Sequence, residues 1–333
     1  MTVSIKDIAK SAGVSPSTVS RALSDHPRIS DETKERVRRL AKEMGYTPSL
    51  LARSLVTQDT ATIGVVITFA SDPFLAHLVM SIEKMAREKG FSVLLSSSYL
   101  DPDHELEAVS AFHGRRTRGI IVIGSQIDAG YLEMRDRFPL PIVLTNCRTY
   151  PYSVSTDNTG GARRAVEHLT QLGHRRIAYI ANRRSYRSNL DRLTSYEQVL
   201  TEHEILADKN LIVEGDGTLQ GGNVAAKTLL SLTHPPTAVF CFNDMTAIGV
   251  LSALQQAQVQ VPDQVSVVGF DDIELASHCC PPLTTVRQPT DLMGQRLMQM
   301  LLSLIQSPEK VEPEVLPDEL ILRHSTGPIP VSI

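Results

Sequence analysis

The sequence predicts an α/β protein, with a small all-helical N-terminal head followed by a body of two parallel α/β subdomains. Three observations carry this. The first sixty residues hold three short helical periodicities and no strand-like alternation. From Thr62 onward, short apolar runs alternate with amphipathic helices, the pattern of parallel sheets covered on both faces. That series is too long for one compact sheet and splits into two similar halves.

Composition sets the outer limits. A chain of 333 residues suits two or three domains, and 42% hydrophobic with 21% charged residues is ordinary for a globular protein. The net charge is −4, but it is unevenly spread: residues 1–60 carry ten Lys/Arg against seven Asp/Glu, and the rest 23 against 30. A basic segment on an acidic body is what a nucleic-acid-reading head would look like. The four cysteines (Cys147, Cys241, Cys279 and Cys280) form no CxxC pair and no His/Cys zinc spacing, so reduced thiols and no metal are expected. The N-terminus lacks the apolar core of a signal peptide and no run is long enough to span a membrane, so a cytoplasmic protein with no membrane partner is expected. No nucleophile motif or phosphate-binding Gly loop occurs, so no catalytic residue, cofactor or enzyme activity is expected.

The head reads as three helices. The first, 5–12, places Ile5, Ile8, Ala9 and Ala12 on one stripe, with Ser4 and Asp7 spaced as a capping box. Gly13 supplies a tight turn. The second helix, 16–23, has Ser15 as N-cap and Pro16 at its first position; Val19, Ala22 and Leu23 face inward, leaving Ser17, Thr18, Ser20 and Arg21 outside. The third, 31–44, shows Val37, Leu40, Ala41 and Met44 at helical spacing, Asp31 and Glu32 in its first turn, and Gly45 as its stop. Two helices around a Gly turn, closed by a third, make a helix-turn-helix unit. Small hydroxyl side chains fit a major groove, Arg21 suits a bidentate contact to guanine, and Ser15, Ser20 and the helix N-termini suit phosphates. A plain three-helix bundle that binds nothing satisfies the same pattern.

Residues 46–56 read YTPSLLARSLV. Pro48 ends the preceding structure and Ser49 caps a segment of about two turns, too short to be stable alone. At this point the chain resembles the LacI (lactose-repressor) family of bacterial regulators. The resemblance rests on Ile5-Lys6-Asp7-Ile8-Ala9, on Gly13 to Arg21, and on Gly45-Tyr46-Thr47-Pro48-Ser49 followed by Ala52-Arg53-Ser54-Leu55. It implies DNA contacts from Ser15, Pro16, Ser17, Thr18, Ser20 and Arg21. It also implies a hinge helix ordered on DNA, with Ser49, Ala52 and Arg53 at the minor groove and Leu55 as the wedge that unstacks a base step. Val56 stands where many relatives have Lys or Ala.

In the body, strands are expected at 63–67, 92–95, 119–123, 142–144, 177–180, 238–242, 265–269 and 319–323, with helices such as 80–89, 162–172 and 246–256. This part resembles the periplasmic-binding-protein-like effector domain of the same family, through runs such as Asn243-Asp244 and Ser266-Val267-Val268-Gly269-Phe270-Asp271-Asp272. Ligands of such sheets bind beyond the C-terminal ends of strands. Phe74 and Leu75 follow the first strand, and Asn243 and Asp271 each end an apolar run. The resemblance places Arg192 in the motif Arg192-Leu193-Thr194-Ser195-Tyr196, with Ser for the usual Gly, and implies that Arg192, Asn243 and Asp271 bind the effector. Arg192 and Asp271 are expected to clamp adjacent hydroxyls from opposite sides. Core packing is the alternative for Phe74, turn acids for Asp271-Asp272, and helix capping for Asn243-Asp244, with Asp244 expected to cap. Many relatives have an aromatic where this chain has Gly217, so that stacking wall is missing or supplied elsewhere.

The reading implies a head at 1–47, a hinge at 48–60 and an effector and dimerisation domain at 61–333. The N-subdomain is expected at about 61–160 and 291–320, and the C-subdomain at about 161–290 and 321–333. The expected partners are near-palindromic operator DNA, a second copy of the chain and a small carbohydrate-like effector, and the expected function is a repressor. A ligand-binding receptor without DNA binding is the alternative.

Overall fold

The computed structural model describes residues 3–46, 60–147, 149–182, 187–307 and 311–329. Two compact units divide it, Met1–Thr60 and Ala61–Ile333. The hinge positions Ser49, Ala52, Arg53, Leu55 and Val56 lie outside the described residues.

The first unit has three helices: α1 (Ile5–Ala12), α2 (Pro16–Leu23) and α3 (Asp31–Glu43). Asp7 Oδ2 accepts from the Ser4 N–H at 2.9 Å and from the Ser4 hydroxyl at 2.7 Å, closing the capping arrangement. Gly13 has φ +66°, a value that an L side chain resists, and turns α1 into α2. Ile8, Ala9, Ala12, Val19, Ala22, Val37 and Ala41 form the core where the three helices meet, with Leu40 and Met44 packed at its edge. Each larger aliphatic buried there contributes about 1.5–3 kcal/mol.

The second unit holds two six-stranded sheets. The first runs β11 (Glu314–Leu316), β5 (Ser153–Thr156), β4 (Ile142–Thr145), β3 (Ile120–Val122), β1 (Thr62–Ile67), β2 (Ser92–Ser97), all parallel. The second runs β12 (Glu319–Ile321), β10 (Thr284–Arg287), β9 (Ser266–Asp271), β8 (Ala238–Cys241), β6 (Ile177–Ala181), β7 (Ile212–Glu214), parallel except where β12 meets β10. Alternate residues of each strand enter opposite cores, as the period of two requires. Ile63, Val65 and Ile67 pack under α4 (Pro73–Glu88) and α10 (Thr290–Gln306), while Val66 faces α5 (Pro102–Gly114). In the second sheet, Ala178 and Ile180 meet α8 (Leu219–Leu230) and α9 (Asp244–Gln256), and Tyr179 meets α6 (Asn158–Gln171) and α7 (Arg187–Glu202).

The chain passes between sheets three times: after β5, after β10, and between β11 and β12. Four strands were not among those expected. β5 reads SVST and β10 TTVR, hydroxyl-rich runs that pack well in a sheet but carry a weak apolar signal. β7 and β11 have only three residues each. The helix expected at 80–89 starts at Pro73, because Asp72 caps it and Pro73 fills its first position.

Candidate nucleic-acid interface and effector cleft

On the head, the buried pair Val19 and Ala22 fixes which side of α2 faces out. Ser17, Ser20 and Arg21, spaced i, i+3, i+4, therefore share an exposed stripe, with Ser15 and Pro16 also exposed and Thr18 half-buried. The Ser15 Oγ accepts from the Thr18 N–H at 3.1 Å and lies 2.8 Å from the Ser17 hydroxyl. The start of α2 thus presents a cluster of hydroxyls and its last turn one guanidinium, groups that can meet phosphates and base edges.

The cleft lies in the second unit, where strands from both sheets end. An outer chamber of about 470 Å³ is lined by Thr68, Phe69 and Leu100 from one subdomain and by Asn182, Gly217, Phe242 and Asn243 from the other. Asp72, Phe242 and Asn243 line both this chamber and a neighbouring recess of about 50 Å³. Phe74, Leu75, Arg192, Asn243 and Asp271 all line that recess, so candidates from four separate stretches of the sequence converge there. Phe74 and Leu75 sit in the first turn of α4 rather than in a loop, and Phe74 packs against the cores of both subdomains.

Arg192 is buried on α7. Its Nε donates to Asn158 Oδ1 at 2.9 Å, its Nη1 to the Phe242 carbonyl, and its guanidinium stacks on Phe270 at 3.5 Å from the ring centre. Ser195, in the place of the family's Gly, donates to the Thr159 carbonyl and ties α7 to α6. Arg192 Nη2 stands 4.0 Å from Asp271 Oδ1. The two therefore form a pair on one side of the recess, instead of a clamp from opposite sides. Their proximity follows from burial: each is the other's counter-charge in a setting with little water.

Asp271 ends β9 with φ +114°, followed by Asp272 at +57°. Such backbone costs about 1–3 kcal/mol and persists only where the surroundings impose it. Here Gln288 Nε2 donates to Asp271 Oδ1 at 2.6 Å. Burial pushes the Asp271 carboxyl well above its usual range, with Arg192 pulling it back.

Asn243, not Asp244, caps α9: its Oδ1 accepts from the Thr246 N–H at 2.9 Å and hydroxyl at 2.7 Å, and its Nδ2 donates to the Gly217 carbonyl at 3.0 Å. Asp244 is fully buried and accepts from the Ile273 N–H and the Thr285 hydroxyl. It ties the turn after β9 to β10, a tertiary task that its position in the sequence does not reveal.

Several lining residues were not expected. Asn182 carries the signal used for Asn243, a polar residue after an apolar strand. Gln288 follows a strand that itself went unread. Asp72 shows as a helix cap. Phe69 and Phe242 supply aromatic surface in the chamber where Gly217 offers none. His174 is structural, held by Thr237, Ser266 and Gly327. No cluster of metal-ligating side chains occurs, and no helix is long and apolar enough to cross a membrane, among the described residues.

Comparison with known proteins agrees with this two-part build. The pattern for bacterial regulatory proteins of the lacI family matches residues 4–49, and that for a periplasmic binding protein-like domain matches 166–326. The transcriptional repressor CytR of Escherichia coli K12 is 35% identical over 332 residues, covering 98% of this chain and 97% of its own. A lac repressor dimer bound to operator and the anti-inducer ONPF superposes with a TM-score of 0.90 at 29% identity, covering 98% of this chain and 100% of that one. The transcriptional regulator CelR in complex with cellobiose gives 0.73 at 30%, covering 97% and 99%. With a helix-turn-helix head, two parallel-dominated α/β subdomains and full-length likeness to such regulators, the chain belongs to the lacI family of bacterial regulatory proteins.

Proposed function

We propose that this protein is a transcriptional repressor that binds near-palindromic operator DNA as a homodimer, under the control of a small, polar, sugar-like effector. The observation that carries the reading is the recess in which Arg192, Asn243, Asp271, Phe74 and Leu75 converge between two sheets joined by three crossovers. A ligand gripped by both subdomains changes the angle between them, and an angle change is what a dimer can transmit. The strained Asp271 backbone supports this assignment, since strain of that kind collects at binding sites.

In this reading the head is 1–47, the hinge 48–60 and the effector domain 61–333, with the subdomains meeting at the crossovers. Ser15, Pro16, Ser17, Thr18 and Ser20 position the head on phosphates and Arg21 reads a base; Ser49, Ala52 and Arg53 contact the minor groove, with Leu55 as its wedge. The effector is carbohydrate-like, by analogy with the cellobiose complex of CelR. Relatives that are regulators by name favour regulation over catalysis, and a regulator that reads bacterial operator DNA works where that DNA is, in the cytoplasm.

The test is selection of bound duplexes from a random pool by the purified full chain, followed by a thermal-shift screen of sugars, sugar acids, sugar phosphates and nucleosides. A two-fold symmetric consensus, and one compound class that both shifts melting and alters DNA affinity, are expected. Failure to enrich any sequence removes the DNA-binding half of the reading; enrichment unaffected by every stabilising compound removes the effector half.

A further inference from the structure

The third crossover, between β11 and β12, carries an acid that the cleft does not account for. Asp318 is only 7% exposed, and neither of its carboxyl oxygens has a hydrogen-bond partner. Its main chain is well held: the Asp318 carbonyl accepts from Arg164 Nη2 at 2.9 Å, and the Leu316 carbonyl accepts from the Asp157 N–H at 2.9 Å, bonding the first crossover to the third. The carboxyl is wedged in tightly. A methyl group at Gly161, in the first turn of α6, would stand 2.9 Å from the Phe270 ring, 3.0 Å from Val286 and 3.0 Å from Asp318 Oδ2.

The charged groups facing Asp318 are Asp157 and Arg164 from the start of α6 and Arg192 from α7. Arg192 is the cation acting most strongly on it, as it is on Asp271. The guanidinium paired with Asp271 in the recess thus also acts, at longer range, on the acid of the crossover. Phe270, the ring on which Arg192 stacks, and Asp318 Oδ2 lie 2.9 and 3.0 Å from the same point beside Gly161. A buried carboxylate with no hydrogen bond is costly, so this geometry suits the protonated acid.

We propose that Asp318 is a positioning residue for Arg192: protonated, it leaves the guanidinium to Asp271 and the recess, and on losing its proton it competes for that guanidinium from the crossover. Ionisation also adds an unsolvated charge at a junction of the two subdomains, which is relieved when the crossovers part and admit water. The effector site is thereby coupled to the state of one carboxyl that need not touch the ligand. Burial, opposed by Arg192, raises the Asp318 carboxyl to about 7, so the change falls within a physiological span. The consequence for effector binding rests on the cleft reading above; the coupling of the two acids does not.

The experiment therefore uses no effector. Urea unfolding of the full chain is followed by circular dichroism from pH 4.5 to 8.5 for the parent, Asp318→Asn, Asp271→Asn and the double variant. The unfolding constant of the parent relative to Asp318→Asn should rise between about a hundred- and a thousandfold from the acid to the alkaline end. The two substitutions should be non-additive at pH 8, by about fivefold or more, and additive at pH 4.5. Asp318→Val, which removes the charge and fills the space, should reproduce the flattened pH profile. Parallel profiles for parent and Asp318→Asn, or additivity at every pH, would overturn the proposal; so would loss of cooperative folding in both Asp318 variants, which would make the carboxyl a requirement of the fold.

Discussion

Arg192 spends its donors on the protein itself: Asn158 and the Phe242 carbonyl take two, and Asp271 stands opposite a third. Removing the cation and removing the acid should therefore differ. Arg192→Ala leaves two buried acids without their main counter-charge and should cost about 3–5 kcal/mol in urea titrations. Asp271→Asn keeps the shape and removes a charge that burial disfavours, so stability at pH 8 should hold or rise while effector response is lost. A normal ligand titration by Asp271→Asn would remove that residue from the binding role. On the head, Arg21 is exposed at the end of the stripe that Ser17 and Ser20 begin. Arg21→Ala should relax base preference at one half-site position by about 1–3 kcal/mol, read from competition binding against duplexes varied at each position. An unchanged base profile would assign Arg21 to the phosphates instead.

At the scale of elements, the closeness of α8 and α9 explains two glycines. A methyl group at Gly249 would meet the Leu219 carbonyl and stand 3.0 Å from the Asn223 nitrogen, and one at Gly222 would meet the Thr246 carbonyl. Both obstacles are backbone, which cannot swing aside as a side chain can. Gly249→Ala should therefore destabilise the second subdomain by about 1–3 kcal/mol despite its better helix propensity, measured by thermal unfolding. A neutral or stabilising result would mean that the helices part easily, and with them the Asn243 cap that faces the cleft. The helix starts at α2, α4 and α9 were written in short-range chemistry: Ser15-Pro16, Asp72-Pro73 and Asn243 are caps. Of those three, Ser15-Pro16 was legible in advance; at α9 the cap was expected of Asp244, one residue too late. Asp72-Pro73 is the same kind of cap, placed seven residues ahead of the helix expected at 80–89.

For the whole molecule, buried acids set the response to pH. Burial raises the carboxyls of Glu105, Asp244 and Asp318, the last two to about 7. Acids with raised native values stabilise fully below their unfolded values and lose that contribution as pH climbs through the native ones. His168 and His174 are shifted down by burial, so their contribution is present above 6.5 and lost as pH falls through their native values. Stability should thus peak in mildly acidic solution, at about pH 5–6.5, by urea midpoints. A midpoint that rises steadily to pH 8 would contradict the burial of those acids. Association is a second property at this scale. Leu95 on the edge strand β2 is 49% exposed and Met80 on α4 is 65% exposed, apolar surface suited to a copy of the chain. Leu95→Asp should convert a sedimenting dimer to monomer and weaken operator binding; an unaffected dimer would place the interface elsewhere.

The head, its caps and its core, and the existence of two parallel sheets, could be read from the residues alone, because helix periodicity, capping and buried apolar runs are local or nearly local signals. Asn243 and Asp271 were likewise marked as polar residues ending apolar strands. What those residues touch emerged from the packing of the folded chain: Asn243 rather than Asp244 caps its helix, Arg192 and Asp271 are paired rather than opposed, and Gln288, Asn158 and Asp318 belong to the same polar system. Residues 158, 192, 271, 288 and 318 are brought together by three crossings between sheets. Contacts across such separations depend on how whole elements pack, and no spacing along the chain encodes them.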